Sequence, residues 1–203
     1  MALLAWLTGC APRAVVLADP AYRVERGRSH ILVVGASRTE ELEGATRQAR
    51  RLFADALATR WFNIQDQELL VASHPELAAP LSQAVRQLQA NGRVESSLAT
   101  RLLRESGVGQ LFLVDVFCFD QYWGKLNKVT RVGVEARLVH VAEGRTLWQA
   151  RYDPEISGEA GNGFDAATRR AVRELVHMLN QELPEFRDTP MADWPVLEYF
   201  TPN

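Results

Sequence analysis

The sequence predicts an α+β fold built on one mixed sheet, and three observations carry that prediction. From Val108 to Tyr152 the chain alternates with period two through three runs joined by short turns, the pattern of half-buried paired strands. An apolar run, Ser29 to Gly35, stands before it and gives way to a stretch of helical period. A second helical stripe follows the third run. The expected order is strand, helix, strand, helices, a three-stranded antiparallel meander and a C-terminal helix.

Taken from the amino terminus, residues 1–9 form a short apolar segment and residues 10–28 a tether without sustained periodicity, carrying Pro20, Gly27 and several Arg. The domain proper is expected over residues 29–183, with a Pro- and aromatic-rich tail over 184–203. Ser29 to Gly35 reads as a buried strand. Gly35-Ala36-Ser37 lacks the second and third glycines with which a dinucleotide-binding turn approaches pyrophosphate. From Thr39, a plausible cap followed by Glu40 and Glu41, the apolar positions Leu42, Ala45, Ala49, Leu52, Phe53, Ala56 and Leu57 recur at spacings of three and four. That is one helical face, and acidic residues in its first turn suit the positive end of the helix. Phe62, Ile64 and Leu69-Leu70-Val71 are expected to form a second strand or extended connection. Two short helices then run over Leu81 to Leu88, stopped by Asn91-Gly92, and from Ser96 to a close at Gly107.

In the meander, Leu111, Leu113, Asp115, Phe117 and Phe119 are expected on one face and Phe112, Val114, Val116 and Cys118 on the other. The second run places Thr130, Val132, Val134, Ala136, Leu138 and His140 opposite Val129, Arg131, Gly133, Glu135 and Arg137. Glu143-Gly144 makes a tight turn into the third run, Leu147 to Tyr152. Helices are expected to cover one face, with the charged face open to water or a partner. Glu155 to Gly163 reads as a loop, and Asp165 as a cap for a helix with a stripe from Ala167 to Leu179. Trp194, Leu197, Tyr199 and Phe200 make the tail a segment that packs along the domain or on a partner.

The composition excludes several function classes. A formal net charge of −2 argues against a nucleic-acid surface. The four histidines His30, His74, His140 and His177 are scattered and none has metal-ligand spacing, so neither a metal nor a cofactor is expected. Catalytic residues are likewise not expected: there is no Gly-Xaa-Ser-Xaa-Gly elbow and no phosphate loop. Asp115 and Asp120 have no accompanying nucleophile, and Arg131, Glu135 and Arg137 read as cross-strand ion pairs. The candidate contact residues are Tyr122, Trp123, Lys125 and Lys128 at the tip between the first two runs, where amphipathic aromatics and the only two lysines meet. Such a tip suits a protein partner or lipid headgroups.

Leu7-Thr8-Gly9-Cys10 ends the apolar start of the chain. It resembles the lipobox of bacterial lipoproteins, which implies cleavage before Cys10, acylation of its thiol and anchoring to a membrane. Ala11 in place of Asp implies the outer membrane. The apolar run is short and no Lys or Arg precedes it, so part of the signal is expected upstream. The passages Leu102 to Leu111, Val134 to Val139 and Glu143 to Ala150, taken with the order of elements and the lipobox, resemble the envelope lipoproteins related to the TolB amino-terminal domain and to CsgG. The pattern is also similar to the regulatory lipoproteins of penicillin-binding proteins. The resemblance implies a non-enzymatic, periplasm-facing accessory or scaffold subunit held at the outer membrane by its lipid and working with a protein partner. The loop Gln121 to Lys128 is too short to span a bilayer, which argues against a pore. The alternative is a periplasmic module that binds a small ligand or polysaccharide on the open sheet face.

Overall fold

The computed structural model describes residues 15–18, 30–58, 63–124, 128–157 and 163–183. Seven strands form one sheet: β1 (Val15–Ala18), β2 (His30–Ala36), β3 (Asn63–Asp66), β4 (Gln110–Trp123), β5 (Lys128–His140), β6 (Arg145–Tyr152) and β7 (Glu155–Ser157). Five helices accompany them: α1 (Glu43–Leu57), α2 (Gln67–Ser73), α3 (Ala78–Asn91), α4 (Ser96–Ser106) and α5 (Gly163–Glu182). The strand order is β1-β6-β5-β4-β2-β3, with β7 pairing β5 beyond the end of β6. β2 lies parallel to both β3 and β4, while β4, β5, β6 and β1 are antiparallel in succession. The α+β order read from the sequence is therefore present.

Helices cover both faces of most of the sheet, where the sequence pattern pointed to one. On one face Ala45, Ala49, Phe53 and Leu57 of α1 and Ala171, Val172, Leu175 and Leu179 of α5 pack on Ile31, Val33, Phe112, Val114, Val134, Leu138 and Trp148. On the other, Leu81, Ala84 and Leu88 of α3 and Leu98 and Leu102 of α4 pack on Leu32, Val34, Leu111, Leu113 and Val139. Both alternating sets at the start of β4 are apolar, and so both are buried. The charged face remains open only where β4 and β5 run past these helices.

Helix ends follow local chemistry. Gly92 and Gly107 take left-handed φ values of 68° and 69° after α3 and α4, and their N–H groups donate to Leu88 and Leu103 at 3.0 and 2.9 Å. Thr39 precedes a 3-10 turn over Glu40–Leu42, not α1 itself, and makes no side-chain cap. Asp66 caps α2, its Oδ1 accepting from the Glu68 N–H at 2.8 Å.

Four other sequence expectations are corrected. Leu69-Leu70-Val71 lies in helix α2, and among the described residues of this stretch only Asn63–Asp66 is strand; three consecutive apolar residues carry too little periodicity to tell the two apart. Val15–Ala18, read as tether, pairs with β6. Glu155–Ser157, read as loop, pairs with Val129–Arg131. A β-bulge between Val116 and Cys118 shifts the β4 register by one residue. Phe119 therefore moves to the helix-covered face, where its ring stacks on Phe164 of α5 at 3.9 Å. Phe117, at the bulge, stays near the open face under the Arg151 guanidinium, 3.6 Å from its ring centroid.

Candidate functional site

β2 leaves the sheet at the pair Ala36–Asp115, but β4 continues to Trp123. The last eight residues of β4, a length of about 27 Å, thus extend beyond β2 with β5 as their partner. Three supports hold this arm. β7 pairs the return strand, Phe119 and Phe164 stack beneath it, and Thr130 sits against the start of α5. A Cβ on Gly163 would lie 2.5 Å from Thr130 Oγ1, so only glycine allows the helix to start this close.

The two aromatics at the tip have different environments. The Tyr122 hydroxyl bonds the Glu155 carboxylate, which holds the phenol above its ordinary pKa. Tyr122 is 41% exposed. Trp123 is 78% exposed, the largest value among the big apolar side chains described. Lys128 faces Trp123 across the last pair of the ladder and is exposed. Lys125 and Cys10 lie outside the described residues. The structure thus brings Tyr122, Trp123 and Lys128 to one end, with Tyr122 beside Glu155 of β7 and Trp123 without such a partner among the described residues.

Below the tip, the open face is laced with charge pairs. Arg131 grips Asp153 through two hydrogen bonds, which raise the guanidinium pKa further. Glu135 is gripped by Arg137 of its own strand and accepts from Gln149 Nε2 at 2.9 Å. The cross-strand reading of these residues is corrected accordingly: Glu135 and Arg137 pair along β5, and Arg131 pairs beyond β6. Asp115 is 4% exposed and accepts from Arg38 Nε at 2.9 Å. Burial pushes its carboxyl pKa up, against the opposing pull of Arg38. Cys118 is a half-buried thiol whose pKa burial also raises, the opposite of a reactive thiolate.

A second charged group lies at the carboxyl ends of β2 and β3, a usual ligand position in parallel sheets. Here Arg50, 5% exposed, contacts Asp66 Oδ2 at 3.0 Å and Glu68 at 2.7 Å. These are ion pairs and not aligned hydrogen bonds, since neither Arg50 Nε nor its Nη2 has a well-directed acceptor. Gln67 Oε1 takes the Gly35 N–H at 3.0 Å. Side chains of the chain itself therefore fill the position where a phosphate would sit. Among the described residues no three His, Cys, Asp or Glu side chains gather as a metal site, and no helix is long and apolar enough to cross a membrane.

No family model matches the chain, and no curated protein matches it in sequence. Solved structures do match its fold. A PelC L103M dodecamer from Paraburkholderia phytofirmans is 14% identical and superposes with a TM-score of 0.55, over 82% of this chain and 96% of that one. A PelC dodecamer in another crystal form gives 0.52, over 81% and 96%. The hypothetical protein CT253 from Chlamydia trachomatis gives 0.53 at 14% identity, over 76% of this chain and 97% of that one. At these identities the likeness establishes the fold and nothing finer: an α+β domain of the kind found in small bacterial proteins, spanning nearly the full length of each.

Proposed function

We propose that the protein is a non-enzymatic, lipid-anchored component of the cell envelope, an accessory or scaffold subunit of an outer-membrane or periplasmic assembly. It is read as kin to the TolB-like and CsgG-like lipoproteins, with Cys10 as the acylated residue. The single observation that carries this reading is the contrast within the domain. Its buried charged side chains Arg50, Asp115 and Glu135 each meet an opposite charge of the chain itself, while the β4–β5 arm extends past the helices with Trp123 exposed. Enzymes leave perturbed, partly accessible acids and bases in a cleft; here the arrangement favours a contact surface. The fold shared with PelC, which is a dodecamer in its crystals, supports a role within an assembly. The domain limits, with a signal over 1–9, a tether from Cys10 and a tail after Leu183, belong to the same reading.

Intact-mass and peptide mass spectrometry of membrane-extracted protein tests it. A mature chain starting at an acylated Cys10 is the expected result. An unmodified Cys10 in a chain that still carries Met1 would remove the anchor from this reading.

A further inference from the structure

The far halves of β4 and β5 are unequally covered. β5 is flanked there on both sides, by β4 and by β7, and Val129, Thr130 and Val132 are buried. β4 has lost β2 after Asp115. Phe119 and Gln121 are half-buried, and Asp120, Tyr122 and Trp123 are exposed. Among the described residues no strand lies along the other side of Phe119 to Trp123.

The ladder fixes which backbone groups face that side. Opposed residues of an antiparallel pair alternate between exchanging both hydrogen bonds and turning both groups outward. The Val132 N–H leaves β4 and donates to the Pro154 carbonyl at 3.3 Å, so the pair Phe119–Val132 is of the outward kind. Gln121, two residues on, is outward too, and its N–H donates to Asp120 Oδ1 at 2.7 Å. Trp123, opposite Lys128, is the third. Phe119, Gln121 and Trp123 therefore present backbone donors and acceptors along an edge of about 14 Å. Sheet edges left in this form are templates for another strand.

We propose that the Phe119–Trp123 edge of β4 is a strand-addition site for an extended, basic segment of a protein partner. This rests on the scaffold reading above and names how the partner is held. The added strand pairs its main chain with Phe119 and Trp123, and with Gln121 once the Asp120 carboxylate turns to the guest. Its side chains alternate, apolar ones beside Phe119 and Trp123 on one face and polar ones beside Asp120 on the other. Charge selects the partner. Glu40 and Glu41 are exposed on the 3-10 turn that lies against β4, and Asp120 and Glu155 are exposed on the arm. Arg38 and Arg131 are already paired with Asp115 and Asp153, which leaves Lys128 and Arg151 to oppose these acids among the described residues. The excess of acid favours lysine or arginine beside Asp120. It also sets the same edge of a second copy against itself.

The probe is a synthetic peptide of alternating valine and lysine, added to the full-length protein in detergent micelles. Amide hydrogen exchange is read at single residues by fragmentation mass spectrometry. The peptide is expected to slow exchange at Phe119 and Trp123 about tenfold or more, with exchange in β5 unchanged. Gln121→Pro, which removes an outward N–H, should lose this protection, and Gln121→Ala should keep it. Where Gln121→Pro disturbs β5, a peptide N-methylated at alternate residues makes the same distinction on the wild type, since it cannot complete the ladder. Equal protection by the N-methylated peptide, or by a valine–glutamate peptide, overturns the proposal. So does slow exchange at Phe119 and Trp123 in the protein alone, which would mean that its own chain or a second copy already covers the edge. No protection by the valine–lysine peptide, with Cys10 shown by mass to be acylated, overturns the site and leaves the anchored-component reading standing. Protection in a chain whose Cys10 proves unmodified upholds the site and removes the anchor.

Discussion

At the scale of single residues, two carboxylates respond to burial and pairing in opposite directions. Asp115 is buried with one oxygen lacking a hydrogen-bond partner, and its pKa is raised. A raised carboxyl pKa means that the folded state binds the proton more tightly than the unfolded chain does. Stability is then lost as pH rises from the ordinary carboxylate value through the folded one. Asp115→Asn, which stays neutral, is expected to melt at or above the wild-type temperature at pH 7, and to flatten the stability profile just above pH ~4. Thermal melts across that window check both. Glu68 behaves conversely: the hydrogen bond from Arg51 and the neighbouring Arg50 guanidinium lower it to about 2. Its contribution is present above the ordinary carboxylate range and disappears as pH falls toward about 2. Glu68→Gln should therefore lose stability at neutral pH and match the wild type in strong acid. Trp123→Ala, by contrast, should change unfolding free energy by no more than about 0.5 kcal/mol, as an exposed side chain does; a loss of several kcal/mol would show that the indole packs on the domain.

At the scale of elements, the meander was legible because it repeats a local rule. Alternation over Leu111 to Val116 and Thr130 to Leu138, and the turn at Gly144 with φ of 62°, are written in consecutive residues. The bulge at Phe117 was not, since one inserted residue leaves no mark of its own and is set by its partner strand. That partner supplies the reason. Gly133 faces the bulge, and a Cβ there would lie 2.3 Å from the Phe117 ring. Gly133→Ala is expected to cost about 1–3 kcal/mol in denaturant unfolding, as overpacking does. A variant as stable as the wild type would show that the ring can move away freely. β1 and β7 escaped notice for the same reason, being short and defined by distant partners. The tip was visible as composition, with its Tyr-Trp pair and two lysines. Its internal division was not, because the Tyr122–Glu155 bond depends on β7 lying beside β5.

At the scale of the whole molecule, polarity along the strands decides orientation. α5 starts beside Thr130 near the arm and runs 20 residues, about 30 Å, to end at Glu182 on the far side. Leu183, the last described residue, therefore lies at the end of the domain opposite the arm.

The attachment of β1 also has a mechanical meaning. This strand joins the fold through four antiparallel pairs, Val15–Arg151 to Ala18–Trp148. A pull along the axis of the strand would load those pairs in shear, all at once, and not peel them one by one. A strand of four residues on a sheet edge could thereby hold the domain against traction that would unzip the same strand if it were pulled sideways.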